Sequence, residues 1–190
     1  QNMVISKRTA TINDYIISID SEKAYEIDDA LSCVKLDNGN YLLGVHISSV
    51  LSYFPYDSEI VQGAIERNQS IYLHRKYDLP DGTQSKTVPI FPYEFSTDTG
   101  SLITGEPKYA RSYYFEIDPQ GNVVNEVFYK SLIVNSKTTT YDEVNRTLKD
   151  GSEDKRFEET VRNLTAVTDL LAAKNKAAYI YEQIKENTDD

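Results

Sequence analysis

The sequence predicts an α+β fold: an antiparallel-rich mixed sheet with two hairpins, helices packed on one side of it, and a long C-terminal helix. Two turn sequences, Asp37-Asn38-Gly39-Asn40 and Asp118-Pro119-Gln120-Gly121-Asn122, each separate two apolar, strand-like runs, which is the pattern of a β-hairpin. Residues 153–186 instead carry apolar side chains at three- and four-residue steps, which indicates one long helix.

Composition narrows the class of protein. The chain has 190 residues, 39% of them hydrophobic, which is enough for one domain with a core. Its net charge of -10 argues against a protein that coats nucleic acid in general, because phosphate contacts need Lys and Arg. The charge does not argue against a nucleic-acid enzyme whose bound metals supply positive charge. The single cysteine, Cys33, fits a reducing compartment, and no apolar run approaches the roughly 18 residues that span a bilayer. We therefore expect a cytoplasmic protein without membrane contact.

The first half of the chain predicts four strands, one helix and a long loop. The strands are expected at residues 15–20, 29–36, 41–48 and 70–73. A helix is predicted at residues 57–67, where Asp57 or Ser58 can cap its start. Residues 74–88 are polar and contain the turn sequence Pro80-Asp81-Gly82, so they predict an exposed loop.

The second half predicts a hairpin of residues 109–117 and 123–134, followed by helices. Thr140 can cap a short helix at residues 141–148. The long helix after it would reach roughly 50 Å at its full length. Its apolar stripe, which could also mediate self-association, consists of Phe157, Val161, Leu164, Val167 and Leu171. The predicted organisation is a connector (1–14), a core (15–150) and the long helix (151–190).

An acidic stretch between two strand-like runs is the first candidate site. It holds five carboxylates in ten positions: Asp20, Glu22, Glu26, Asp28 and Asp29. Carboxylates held together at the edge of a sheet repel one another, and Mg²⁺ or Mn²⁺ takes oxygen ligands of this kind. The alternative is an exposed turn with solvated charges, which is the usual state of a charge run.

Two further residues, His46 and Cys33, are of types that can be reactive, but both are expected to be core residues. His46 lies in an apolar strand, where a hydrogen-bonded core histidine is more common than a metal ligand. Cys33 lies in a predicted strand and is expected to be a small buried hydrophobe.

Several short motifs follow one another between residue 15 and about residue 148. They include Ile19-Asp20, Asp28-Asp29-Ala30, Asn38-Gly39-Asn40-Tyr41, Gly44-Val45-His46-Ile47, Ala64 with Arg67, Ser70-Ile71-Tyr72-Leu73, Pro89-Ile90-Phe91-Pro92, Phe95-Ser96, Ser101-Leu102, Ser131-Leu132-Ile133 and Thr140-Tyr141. In this order they resemble the N-terminal part of the RNB domain, the catalytic domain of the ribonuclease II and ribonuclease R family.

The resemblance implies a metal-dependent exoribonuclease that hydrolyses single-stranded RNA from its 3′ end and releases 5′-nucleotides. It assigns four acidic residues to metal binding and catalysis: Asp20, Glu26, Asp28 and Asp29. The implied cofactor is Mg²⁺ or Mn²⁺. Two-metal phosphodiester hydrolysis needs carboxylates that hold the cations about 4 Å apart.

The implied RNA contacts involve three residues. Tyr72 matches the aromatic residue that stacks on the 3′-terminal base, although it could also be an ordinary tyrosine of the core or surface. Arg67 belongs to one of the matching motifs and is assigned to RNA binding. Arg75 lies in the predicted loop with Lys76 and Lys86, where cations could meet RNA phosphates, although scattered cations are common in loops.

Several features depart from the family pattern. Glu26 and Ser49 stand where the family usually has Asp, Gly100 stands where it has Cys, and the loop at residues 74–87 is longer. The family's catalytic domain is also longer than this chain. The expected partners are therefore its C-terminal half and flanking small β-barrel RNA-binding domains. The alternative is a degenerate, non-catalytic RNB-like module that binds RNA or a protein partner.

Overall fold

The computed structural model describes residues 10–24, 26–79, 82 and 84–188, with side chains up to residue 178. Residues 1–9, most of the predicted connector, lie outside this part. The strands are β1 (Ala10–Thr11), β2 (Ile16–Asp20), β3 (Asp29–Lys35), β4 (Tyr41–Ser48), β5 (Ile71–Asp78), β6 (Gln84–Val88), β7 (Pro107–Ile117) and β8 (Val123–Thr140). The helices are α1 (Glu59–Arg67), α2 (Tyr141–Asp150) and α3 (Lys155–Thr188). A short π-helix spans Phe95–Thr99. No helix in the described residues has the length and apolarity needed to cross a membrane.

The main sheet closes on itself through β8. Its strand order is β1-β8-β2-β3-β4-β7, and β7 also pairs with β8. The first part of β8 pairs antiparallel with β7, from Val123 opposite Ile117 to Val134 opposite Pro107. The last part of β8 runs parallel to β2. All other pairings except β1–β8 are antiparallel, which confirms the predicted antiparallel-rich mixed sheet.

The closure explains why β8 is longer than predicted. Strand-like patterning in the sequence stops near Val134, but the strand continues to Thr140 because β2 offers a second partner there. The polar residues in this extension are held by hydrogen bonds within the protein. Asn135 donates from its side chain to the Leu102 carbonyl at 2.8 Å and to the Ser18 hydroxyl at 3.1 Å. Tertiary pairing therefore overrides the local sequence signal.

The predicted loop at residues 74–88 is wrong for the described residues, because most of them form a hairpin. β5 and β6 pair antiparallel as a separate two-stranded sheet. The Tyr77 hydroxyl donates across the hairpin to the Thr87 carbonyl at 2.8 Å. Pro80 and Asp81 of the predicted turn lie outside the described residues. The polar composition of residues 74–88 correctly predicted that the segment is exposed, but it did not predict the pairing of β5 with β6.

The long helix covers one side of the main sheet. Successive residues of β2 point to opposite faces, and both Ile16 and Ile17 are fully buried. Ile16 packs inside the closed sheet, whereas Ile17 packs outside it against Phe157 and Val161 of α3. Farther along the helix, Val167 packs against Cys33, which is buried as predicted. The apolar stripe of α3 therefore anchors the helix to the sheet, as the predicted arrangement of helices on one side requires.

A series of polar side chains crosses the interior of the closed sheet. His46 is fully buried, with Nε2 3.1 Å from Ser32 Oγ and Nδ1 2.7 Å from Ser112 Oγ. Ser112 Oγ lies 2.7 Å from Ser131 Oγ. Gly44 leaves room for this network, because a Cβ atom there would lie 2.3 Å from Ser32 Oγ. The prediction of a hydrogen-bonded core histidine is confirmed.

This histidine should make the fold sensitive to acid. Burial lowers the pKa of His46 from 6.5 to about 4, and the nearby Asp14 charge only partly opposes the shift. The unfolded chain therefore binds more protons between these two values, so His46 lowers the free energy of unfolding as the pH falls from about 6.5 to 4, by roughly 3 kcal/mol. Urea unfolding across this range, compared with that of His46→Gln, measures the effect.

The comparison with the variant is necessary because other groups act in the opposite direction. Asp20, Glu26 and Asp28 have raised pKa values, so their protonation favours the folded state as the pH falls. These contributions cancel in the difference between wild type and His46→Gln. A difference that stays constant from pH 7 to pH 4 would contradict the role assigned to His46.

Candidate active site

Two strand ends bring the acidic residues to one edge of the sheet. Asp20 is the last residue of β2, and Asp29 is the first residue of β3. The two strands run antiparallel with Ile17 opposite Leu31. Extending this register places Asp20 across from Asp28. The acidic stretch therefore folds back on itself at the edge of the sheet, so that Asp20 and Asp28, near its two ends, lie near each other in space.

Backbone hydrogen bonds hold the second half of this stretch in place. The Ile27 amide donates to the Ser101 hydroxyl at 3.0 Å, and the Leu102 amide donates to the Ile27 carbonyl at 2.8 Å. The Ser48 amide donates to the Asp28 carbonyl at 2.8 Å. The Ile27 side chain packs against the interior cluster. The positions of Glu26 and Asp28 on either side are thus fixed by the core.

Glu26 and Asp28 line a cavity of about 250 Å³. The other lining residues are Ile47, Ser48, Val50, Ser70, Ile90, Phe91, Phe95, Ser96 and Gly100. Phe95 and Ser96 belong to the π-helix, a conformation that often occurs at functional sites, and both are buried. The cavity therefore combines two carboxylates with hydroxyl groups and aromatic walls.

The carboxylates around this edge are destabilised in their charged form. Burial raises the pKa of Asp20, and the charge of Asp29 adds to the shift while the Ser18 hydroxyl opposes it. Burial also raises the pKa of Glu26, the charge of Asp28 adds to it, and a hydrogen bond from Ser96 opposes it. The side chains thus lose hydration and repel one another.

Asp28 experiences the repulsion from two sides. Its side chain reaches solvent, yet desolvation by the surrounding protein atoms raises its pKa, followed by the charges of Asp29 and then Asp20. The cluster is therefore electrostatically unfavourable when fully ionised, which is a common property of functional sites.

One observation tests whether these residues fit a divalent cation. The Oδ2 atom of Asp20 is buried without a hydrogen-bond partner among the described residues. A buried carboxylate oxygen without a partner is costly, and a hard cation would both bind it and neutralise its neighbours. The all-oxygen donor set therefore fits Mg²⁺ or Mn²⁺.

The predicted ligands do not all converge, however. Glu26 and Asp28 share the cavity, whereas Asp20 and Asp29 lie at the adjoining strand ends. Within the described ranges, no three Asp, Glu, His or Cys side chains are close enough together to hold a metal ion. The assignment of these four residues to metal binding and catalysis remains a prediction.

The predicted RNA-binding residues lie at the end of α1 and on β5. Arg67 ends α1 and donates from Nε and Nη2 to the Ile90 carbonyl, at 3.0 and 2.8 Å. It therefore fixes a segment that lines the cavity. Tyr72 and Arg75 lie on β5, where both are exposed, Tyr72 by 79%. Their contact with RNA remains a prediction.

Several residues that line the cavity were not among the predicted site residues. Ser70, Phe91, Phe95 and Ser96 belong to motifs that matched the RNB pattern, so the signal was present, but their convergence was not visible in one dimension. Ser70 accepts a hydrogen bond from the Ile90 amide at 3.0 Å. This bond joins the two segments that bear Ser70 and Phe91.

Two departures from the family pattern have local explanations. Ser49 is buried, and its hydroxyl accepts a hydrogen bond from the Ser52 hydroxyl at 2.9 Å, so a serine is satisfied there. At Gly100 a Cβ atom would lie 2.5 Å from Cε1 of Phe95, so a larger residue would force the ring to shift. Gly100 thus allows the Phe95 ring to line the cavity.

Comparison with known proteins gives a consistent result. The RNB domain family matches residues 8–188. Ribonuclease R of Thermotoga maritima is 36% identical over 82% of this chain, which corresponds to 21% of that protein. Mycoplasma genitalium RNase R, solved in complex with double-stranded RNA, superimposes with a TM-score of 0.75 at 25% identity, over 88% of this chain and 28% of that one.

A third comparison concerns the fold alone. Yeast Ssd1, described as a pseudonuclease, superimposes with a TM-score of 0.69 at 18% identity over 92% of this chain and 21% of that one. The chain therefore spans about a quarter or less of most of these proteins. The RNB family matches nearly the entire chain, including the acidic edge, the cavity and the long helix, and this chain belongs to the RNB domain family.

Proposed function

We propose that this chain provides the metal-binding carboxylates of a hydrolytic 3′-to-5′ exoribonuclease that acts on single-stranded RNA and releases 5′-nucleotides. The observation that carries the proposal is the acidic edge beside the cavity, where Asp20, Glu26, Asp28 and Asp29 repel one another and one buried oxygen of Asp20 has no hydrogen-bond partner in the described residues. Two of the similar proteins are named ribonuclease R, and one of these is bound to RNA.

In this proposal Asp20, Glu26, Asp28 and Asp29 hold Mg²⁺ or Mn²⁺. Divalent cations bound there would lower the pKa of a coordinated water and stabilise the charge on the leaving oxygen. The chain's own residues position the reacting phosphate. Phe91 and Phe95 form the apolar walls, while the Ser96 hydroxyl lowers the pKa of the Glu26 carboxyl and so favours its charged form.

The RNA is proposed to approach the cavity along β5. Tyr72 is exposed and lies two residues after Ser70, which lines the cavity, so its ring is available to stack on the 3′-terminal base. Stacking of this kind contributes about 1–3 kcal/mol per base and tolerates any base. Arg67 and Arg75 are proposed to contact the RNA, Arg67 beside the cavity and Arg75 farther along β5.

The test is degradation of a 5′-labelled single-stranded RNA by the longest natural form of the protein. We expect fragments shortened from the 3′ end with Mg²⁺ or Mn²⁺, and intact RNA with a chelator. A preparation that releases labelled mononucleotide at once would indicate the opposite polarity. Fragments that persist in the chelator would contradict metal dependence.

The second candidate is a non-catalytic RNB-like module that binds RNA or a protein partner. It is favoured by Glu26, which replaces the usual Asp of the family, and by the incomplete convergence of acidic residues in the described ranges. It predicts RNA or partner binding without turnover under any metal condition. Metal-dependent turnover that disappears in Asp28→Asn would exclude it.

The proposed activity requires more than this chain. The chain spans 21% of the Thermotoga maritima relative, so the C-terminal half of the catalytic domain and flanking small β-barrel RNA-binding domains are proposed to complete the enzyme. The lone Cys33 favours a cytoplasmic location for it.

A further inference from the structure

The β5–β6 hairpin is the most exposed element among the described residues. Its strands pair as a separate sheet, and every side chain of β5 except that of Tyr77 is exposed. The exposed side chains include Ile71, Tyr72 and Leu73, which are apolar or aromatic. Successive side chains point to opposite faces, so both faces of the hairpin are open to solvent. A two-stranded sheet without a covering layer is only marginally stable in water, which makes this hairpin a candidate binding arm.

The hairpin concentrates positive charge on an acidic chain. Its described strands carry Arg75, Lys76 and Lys86, all exposed, and one carboxylate, Asp78, which accepts a hydrogen bond from Gln84 at 2.9 Å. With Asp81, which lies between the two strands in the sequence, residues 71–88 hold three cations and two carboxylates, a net charge of +1, whereas the whole chain has a charge of -10. The arm is therefore an electrostatic exception that suits an anionic partner.

The strand register brings these cations together. Tyr72 pairs with Thr87 and Tyr77 pairs with Ser85, so an irregularity leaves residues 73–76 opposite the single residue Lys86. Arg75 and Lys76 therefore lie within the four-residue segment that is opposite Lys86. Like charges facing across a strand pair are destabilising unless an anion lies between them or nearby. Bulges of this kind are also over-represented next to active sites.

The base of the hairpin is fixed to the candidate active site. Ser70 directly precedes β5, lines the cavity and accepts a hydrogen bond from the amide of Ile90, another lining residue. Arg67 binds the carbonyl of the same Ile90. At about 3.3 Å per residue, Arg75 lies at most about 17 Å along the chain from Ser70. A chain of phosphates entering the cavity could therefore contact the arm on its way.

We propose that the β5–β6 hairpin binds the phosphodiester backbone of single-stranded RNA upstream of the 3′ end, through Arg75, Lys76 and Lys86. The identity of the nucleic acid rests on the proposed function. The cations contact phosphates and carry no base specificity. Their role is to retain long substrates, since a short RNA that fills only the cavity does not reach them.

The experiment measures RNA binding by the longest natural form of the protein in the presence of a chelator. The variant is Arg75→Gln/Lys76→Gln/Lys86→Gln, and the matched control is Lys130→Gln/Lys149→Gln/Lys176→Gln, which removes the same charge from exposed positions elsewhere. Binding of an RNA of about 20 nucleotides is titrated over a range of salt concentrations, because each phosphate contact contributes about 0.7 to the salt slope for single strands. Lys86→Gln alone provides a milder variant.

For the triple variant we expect binding about 10- to 100-fold weaker at moderate salt and a salt slope smaller by about 2, and for Lys86→Gln a slope smaller by about 0.7. The control should bind like wild type, because its three lysines lie outside the hairpin. Binding equal to wild type in the triple variant, or equal loss in the control, would overturn the proposal.

The outcome is separable from that of the proposed function. Binding in the chelator does not depend on turnover. If the protein never cleaves RNA but the triple variant loses affinity, the RNA-binding role of the hairpin is supported and the exonuclease proposal is rejected. If the protein cleaves RNA but the triple variant binds RNA like wild type, the exonuclease proposal is supported and the RNA-binding role of the hairpin is rejected. The cationic edge would then serve only to prevent strand-to-strand aggregation.

Discussion

Replacing Asp28 with Asn is expected to reduce RNA hydrolysis by on the order of 100- to 10,000-fold while leaving the fold slightly more stable. Asp28 lines the cavity with Glu26, and the charges of Asp29 and Asp20 raise its pKa further. It therefore lies at the centre of the acidic edge. Asn keeps the size of the side chain and one oxygen but removes the charge that would hold a cation. The measurement is the rate of 3′ shortening of labelled RNA.

The expected gain in stability distinguishes a functional residue from a structural one, because replacing a structural residue would lower the stability. The raised pKa of Asp28 means that its charged form is disfavoured in the folded protein, so removing the charge relieves repulsion. Asp169→Asn, at an exposed position in the middle of α3, is the matched control and should change neither quantity. Activity that survives Asp28→Asn, or a marked loss of stability, would refute this role for Asp28.

Replacing Phe157 with Ala is expected to lower the free energy of unfolding by about 3–5 kcal/mol. The ring is 1% exposed and packs in a cluster with Ile17 and Val161, between α3 and the outer face of the sheet. Lys137 Nζ lies 4.8 Å from the ring centroid, so the change also removes a cation–π contact. Urea unfolding of the 190-residue chain measures the loss.

Tyr56→Ala provides the matched control for this change. Tyr56 is 65% exposed, so removing its ring should cost less than about 0.5 kcal/mol. A loss below about 1 kcal/mol for Phe157→Ala would mean that α3 does not anchor on the sheet as described. Because the same cluster supports β2, whose last residue is Asp20, the destabilised variant should also bind divalent cations less tightly.

The candidate site was predictable to the extent that its signal is local. The carboxylates Asp20, Glu26, Asp28 and Asp29 are close in sequence, and strand-like runs on both sides place them at a sheet edge. The cavity was not predictable in this way. Ser70, Phe91 and Ser96 reach it from three separate segments, and only folding brings these segments together.

The fold class, the two hairpins of the main sheet, the long helix with its buried stripe and the core position of His46 could all be predicted from the linear sequence. Each depends on neighbouring residues, on turn chemistry or on helical and strand periodicity, which a linear pattern contains. Tertiary structure alone decided the closure of the sheet through β8, the pairing of β5 with β6, and the cavity beside Glu26 and Asp28. These features depend on partners distant in the chain, because a polar strand is stabilised by the strand opposite and not by its own apolar residues.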